Sequence, residues 1–311
     1  MDIVAFCTSA KVLVVAGKGG VGKTTASAAL ALMAARHGLS VLLVELEGRP
    51  ALAATFGTAR PLDYEEVELW RGEGSVAGRW ITPDDALLEY LEDHGFRRVS
   101  RRLVSAGVID VVATAIPGIR DVLVLGKVKQ VERAGTADLI VVDAPATGHA
   151  VTFLTSASGL LDAARGGPIR TQAAEVLEML GDPSRCRVVL VTLPEELPVS
   201  ETVEAAYRVE DQAGVQLGPV IVNGVESITP GLLVPTAEAA EEARVELPPA
   251  DLAALEASRL FTLERHRVQT TQIERLAAEL PLPQLHLPAL SSQRIGLSEL
   301  EILSDALSAA V

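Results

Sequence analysis

Aromatic residues are scarce in this chain: Phe, Tyr and Trp together make up 3% of its 311 residues. An interior built without large rings must be filled by Ala, Val and Leu, and a hydrophobic content of 49% supplies enough for a sizeable core. Cysteine is nearly absent. Cys7 and Cys186 stand alone, which excludes a disulfide framework and a Cys-x-x-Cys zinc site and makes a reducing cytoplasm the expected compartment. No apolar run approaches the ~18 residues of a membrane span. The short apolar patch at residues 3–6 follows Asp2 rather than a basic region, so it does not read as a secretory signal. Positive charge is lacking too. With 27 Lys and Arg against 41 Asp and Glu, the net charge is −14, the wrong sign for a nucleic-acid surface. His94, His266 and His286 are scattered and suggest no ligand set.

What the chain does contain is Gly17-Lys18-Gly19-Gly20-Val21-Gly22-Lys23-Thr24-Thr25. Two glycines separated by four residues and followed by Lys and Thr form a phosphate-binding loop. The context agrees: residues 11–16 read as a buried parallel strand, and residues 24–36 as an Ala- and Leu-rich helix stopped by Gly38. The chemistry explains the pattern. A triphosphate needs many donors at close range. Glycines let the backbone turn sharply and point amides from Gly17, Gly19, Gly20, Val21, Gly22 and onward to Thr25 at one anion. The helix that follows adds its positive end. Lys23 supplies a cation for the β- and γ-phosphates and Thr24 a hydroxyl for Mg²⁺.

The rest of the chain alternates strands with helices. Strands are expected at 41–44, 66–70, 138–142, 187–192, 220–222 and 285–287. Helices are expected at 82–93, where Thr82-Pro83-Asp84-Asp85 is a strong start, and at 119–132, 198–212, 248–280 and 298–309. The fold class is therefore α/β, with a doubly wound, mostly parallel sheet forming one domain over 1–311 and a largely helical insertion over 60–137. Two carboxylates lie where ligands bind in such sheets, just past strand ends: Glu47 and Asp143. Asp143 after an apolar strand is the usual companion of a phosphate loop, holding Mg²⁺ with Thr24. Arg97, Arg98, Arg101 and Arg102 form two adjacent rows of positive charge, either a solvated helix face or a docking patch for an acidic partner.

Lys18, one residue after the first glycine, marks the deviant form of the loop. Here the sequence resembles the SIMIBI-class P-loop ATPases that include ParA, MinD, nitrogenase iron protein and ArsA. Asp143-Ala144-Pro145-Ala146-Thr147-Gly148-His149 narrows the likeness to the ArsA family, which also contains the targeting factor for tail-anchored membrane proteins; the family runs Asp-Thr-Ala-Pro-Thr-Gly-His, so Pro145 has moved one place, and Thr152 replaces an arginine. Pro117-Gly118-Ile119, Pro194-Glu195 with Glu201-Thr202, and Val222-Asn223 are also similar to family segments.

The resemblance implies a dimeric Mg²⁺-dependent ATPase. Lys18 crosses to a second subunit's phosphates. Asn223 reads adenine, Gly148 and His149 sense the γ-phosphate, and Glu47 stands where the family has an Asp that orients the attacking water. It also implies a partner, either an identical chain or a paralogue, with an anion-efflux or protein-targeting client beyond it. The run Glu45-Leu46-Glu47-Gly48-Arg49 resembles one member of the paired actinobacterial ArsA-like ATPases, thought to work as heterodimers, so a weakly hydrolysing subunit is the alternative. A three-thiol arsenite site, the zinc clamp and the Met-rich client groove of relatives have no counterpart in two cysteines and three methionines. A MinD-type positioning ATPase would need a basic C-terminal helix, and residues 298–311 contain no Lys or Arg.

Overall fold

The computed structural model describes residues 2–46, 51–93, 118–163 and 166–309. Eight strands form one sheet: β1 (Val12–Gly17), β2 (Ser40–Glu45), β3 (Val67–Arg71), β4 (Ser75–Trp80), β5 (Leu139–Ala146), β6 (Cys186–Thr192), β7 (Leu217–Val225) and β8 (Gln284–Pro288). Their spatial order is β3-β4-β2-β5-β1-β6-β7-β8. All neighbours run parallel except β3 and β4, an antiparallel edge pair. From β1 the chain goes outward over β5 to β2 and β4, and later returns to fill β6, β7 and β8 on the other side. That reversal makes the carboxyl ends around β1 the topological switch point, where open α/β sheets bind ligands.

The helices divide between the two faces. Strand residues alternate in direction, so Leu13 and Val15 point to one side while Val12, Val14 and Ala16 point to the other. The first side is covered by α1 (Ile3–Ser9), α2 (Lys23–Arg36), α3 (Ala51–Thr55) and, from the far end of the chain, the last helix, Leu297–Ala309. The second side carries α4 (Pro83–Asp93), α5 (Ile119–Ala134), α6 (Thr147–Ala163), α7 (Pro168–Gly181) and α8 (Glu196–Arg208). A π-turn at Val209–Ala213 continues α8. Two helices follow β7: α9 (Thr236–Glu242) and α10 (Pro249–Glu279), and the Leu297–Ala309 helix is α11. Only Gln269 and Leu276 of the 31 residues in α10 are buried. Its C-terminal third is tied to β7 through Gln269, which donates to the Gly224 carbonyl (3.1 Å) and accepts from the Glu226 amide (2.9 Å).

The expected fold class, an α/β P-loop architecture on a mostly parallel sheet, is what the chain adopts, with element ends moved by a few residues. Six elements lie outside the expected set: helices α1, α3, α6, α7 and α9 and strand β4. Helix α1, capped by Asp2 through the Val4 and Ala5 amides, occupies what the sequence shows only as a short apolar patch. Strand β4 was not expected at all, because Gly78 and Arg79 interrupt its apolar pattern. Of the 60–137 stretch expected to be a helical insertion, the described residues include β3 and β4, hydrogen-bonded into the sheet, and α4 and α5, packed on it. The four arginines at 97, 98, 101 and 102 lie outside the described residues.

Candidate functional site: the phosphate loop and its neighbours

The loop grows out of β1, which is buried along its whole length between β5 and β6. Its last residue, Gly17, is in register with Val191 of β6. A Cβ on Gly17 would lie 2.4 Å from the Val191 carbonyl oxygen, so the backbone can leave the sheet here only without a side chain. Gly22 caps α2 with φ +88°, ψ 28°, and no side chain caps that helix end. The first amides of α2 are thus not occupied by a capping oxygen from Gly22, the arrangement that suits an anion. A Cβ on Gly22 would also collide with the Asn223 side-chain amide at 2.3 Å.

Three side chains meet beneath the loop. Thr24, in the first turn of α2, donates to Asp143 Oδ2 at 2.7 Å. Ser27, one turn further on, donates to Asp143 Oδ1 at 3.2 Å. Asp143 is 8% exposed and sits near the end of β5, in register with Val15 of β1 and Glu45 of β2. Hydroxyl and carboxylate oxygens at the mouth of a phosphate loop are hard donors, and this set fits Mg²⁺ rather than zinc. Glu45 is a second buried carboxylate (5% exposed) on the adjacent strand end.

The loop lysines point different ways. Lys23 Nζ reaches back to the Lys18 carbonyl at 3.4 Å. Lys18 Nζ reaches across to α8 and pairs with Glu201 Oε1 at 2.7 Å. Asn223, in β7, donates from Nδ2 to the Val21 carbonyl at 2.9 Å, tying the loop to the far strand. Gly19 and Gly20 lie in the turn itself, the latter at φ +89°, and Thr25 lies in the first turn of α2. Gly148 and His149 fall in the first turn of α6, directly after β5. Glu47 lies outside the described residues. The structure brings Lys18, Val21, Gly22, Lys23, Thr24, Asp143 and Asn223 together around the carboxyl end of β1. Ser27, Glu45 and Glu201 were not assigned roles from sequence. For Ser27 the signal was present, since three residues beyond Thr24 on a helix is the same face.

Away from the loop, the cations that line one cavity are matched by acceptors. A cavity of about 200 Å³ between α4, α5 and α7 is lined by Lys127, Lys129 and Arg133. Lys127 is held by Glu89 (2.6 Å) and Gln130, and Lys129 by Glu175 and Gln172; Arg133 also meets Glu175. Hydrogen bonds from these lysines hold the Glu89 and Glu175 carboxyls below their ordinary range; for Glu89, burial pulls the other way and loses. The thiols of Cys7 and Cys186 belong to opposite faces of the sheet, and burial pushes both up to about 12, which keeps them protonated. Among the described residues no helix is long and apolar enough to cross a membrane.

Comparison with known proteins agrees with this geometry. Residues 10–162 match the anion-transporting ATPase family. The chain is 36% identical to ATPase BagA of Mycobacterium tuberculosis, over 94% of this chain and 91% of that protein. It is 33% identical to ATPase get3 of Schizosaccharomyces japonicus over 47% of this chain and 44% of that one, and 28% identical to an arsenical pump-driving ATPase of Halobacterium salinarum over 67% and 34%. The matching family model, together with 36% identity to a relative over nearly the whole of both chains, leads to one assignment: the chain belongs to the ArsA-type, anion-transporting ATPase family.

Proposed function

We propose that this protein is a nucleotide-driven switch: it binds ATP with Mg²⁺, pairs with a second subunit, and hydrolyses the γ-phosphate in the paired state. The observation that supports this most directly is the Thr24–Asp143 hydrogen bond, which joins helix α2 to the strand end of β5 at the switch point. The amides of Gly19 to Thr25 and the Lys23 ammonium would hold the phosphates. Thr24 and Asp143 would hold Mg²⁺, directly or through water; when bound, the ion neutralises phosphate charge. Asn223, on the far side of the loop, is the candidate adenine contact. Gly148 and His149, where β5 becomes α6, would transmit the state of the γ-phosphate to that helix. Glu47 would orient the attacking water, and Lys18 would stabilise phosphoryl charge in the other subunit, as an arginine finger does. The opening and closing of the pair is the output, delivered to an anion-efflux or protein-targeting partner in the cytoplasm.

The decisive variant is Lys18→Ala. ATP binding is expected to persist within about two-fold while turnover falls by on the order of 10³. Unchanged turnover would reject a site shared between subunits.

A second reading is favoured by Glu47. The glutamate is one methylene longer than the aspartate of the family, and a water displaced by about 1 Å costs on the order of 100-fold in rate. In that case the chain is the weakly hydrolysing member of a heterodimer. ATP turnover by the isolated chain, with and without its paralogue, separates the two; rapid turnover alone would remove the second reading.

A further inference from the structure

Lys18 is the residue that the shared-site reading sends to another subunit, yet here its ammonium is held inside its own chain. Glu201 Oε1 lies 2.7 Å from Lys18 Nζ. No other group among the described residues meets that ammonium, and the other carboxylate oxygen, Glu201 Oε2, is buried with no hydrogen-bond partner. Lys18 is therefore the sole partner of a half-satisfied carboxylate. The anchoring is a product of the topology. Gly17 and Val191 are paired neighbours, so the residue after β1 and the second turn of the helix after β6 emerge side by side. We propose that Glu201 is a positioning residue that stores Lys18 in the unpaired chain, and that pairing of two chains on ATP requires this ion pair to be given up.

The proposal rests on the reading that Lys18 acts across a subunit boundary. Its physical content is an opposing term. When the ammonium leaves, Glu201 Oε1 on a side chain about one-third exposed gives up its cation for water, and the attraction of a partly exposed ion pair is lost. Pairing must supply more than that loss. Glu201 thereby raises the ATP concentration at which chains associate and suppresses association between chains that hold no nucleotide.

The test is Glu201→Gln in the full chain. An amide keeps the shape and removes the charge. Mg-ATP-dependent association, measured by analytical ultracentrifugation with hydrolysis blocked by a non-hydrolysable analogue, should tighten about three- to five-fold, the scale of a partly exposed ion pair. In nucleotide-free protein, acylation of Lys18 followed by mass spectrometry should be several-fold faster in the variant. In a Lys18→Ala background the Glu201 substitution should have no further effect on association. Unchanged or weaker association in Glu201→Gln, with wild type associating normally, would overturn the storage role and leave the shared site standing. An effect that survives in the Lys18→Ala background would overturn it too, since it would not run through Lys18. Failure of wild type itself to associate would overturn the shared-site reading, and the exchange with it.

Discussion

Both faces of the sheet bury an apolar core, and they differ in what is added to it. On the α2 side the helix is made mostly of small residues: all ten from Ala26 to Ala35 are buried, seven of them alanine or serine and three larger (Leu30, Leu32 and Met33). On the α4–α7 side buried lysines are pinned by carboxylates, with Lys127 and Lys129 on α5 bridging to Glu89 on α4 and Glu175 on α7. The difference follows from what each face carries. Helix α2 begins at the phosphate loop, so its distance from β1 fixes where the loop amides point. Close contact of Ala with the sheet leaves no freedom in that distance. Helices α4, α5 and α7 carry no loop residue; buried apolar side chains such as Val122, Leu125 and Val176 seat them, and the ion pairs between them add lateral specificity but little stability.

This contrast can be broken from either side. Leu32→Ala, on the α2 face, removes a fully buried side chain and should cost ~2–5 kcal/mol of unfolding free energy in denaturant titration. Ala31→Leu inserts volume where none is available and should cost ~1–3 kcal/mol, with nucleotide affinity falling as α2 is pushed off the sheet. On the ionic face Lys127→Met leaves Glu89 without its cation and should cost ~1–2 kcal/mol, while Lys127→Met combined with Glu89→Gln, which still accepts from the Tyr64 hydroxyl, should return to within ~1 kcal/mol of wild type, because no buried charge is then left unpaired. If the double variant is no better than the single one, the ionic face is contributing stability that this comparison denies it.

The smallest effect is on pH. Glu89 and Glu175 have folded-state values below the ordinary 4.5. A depressed carboxylate contributes stability above its unfolded value and loses it as pH falls through the folded one. Stability should therefore decline below about pH 4.5, and Lys127→Met should flatten part of that decline. An equally steep acid limb in the variant would place the titrating groups elsewhere.

How much of this was legible in the sequence depended on how local the cause was. The phosphate loop, α2 and the aspartate of β5 were readable because each obeys short-range rules: glycines at fixed spacing, alanines in a run, an acid after four apolar residues. The parallel sheet followed from strand–helix alternation. Strand β4 was not readable, since Gly78 makes room for Leu62 and Leu69 and Arg79 stacks over Tyr64, packing that an apolar pattern along the strand does not record. Neither was the destination of the Lys18 side chain. It depends on β1 and β6 being adjacent, a fact of topology that a sequence separation of 183 conceals. The resemblance to the ArsA family identified the lysine but gave it a different destination, in another subunit.

The fastening of α10 has a mechanical consequence. That helix is clamped at Gln269, next to the strand whose Asn223 touches the phosphate loop, and its remaining twenty residues toward Pro249 span about 30 Å with hardly a buried side chain. Glu256 accepts from Thr236 and Arg259 donates to the Leu232 carbonyl, so α9 travels with this length of helix, and a rotation of about 10° at the clamp would sweep its far end through roughly 5 Å. Ångström-scale adjustments around the γ-phosphate would thus be legible at a distance as a change in the molecule's outline.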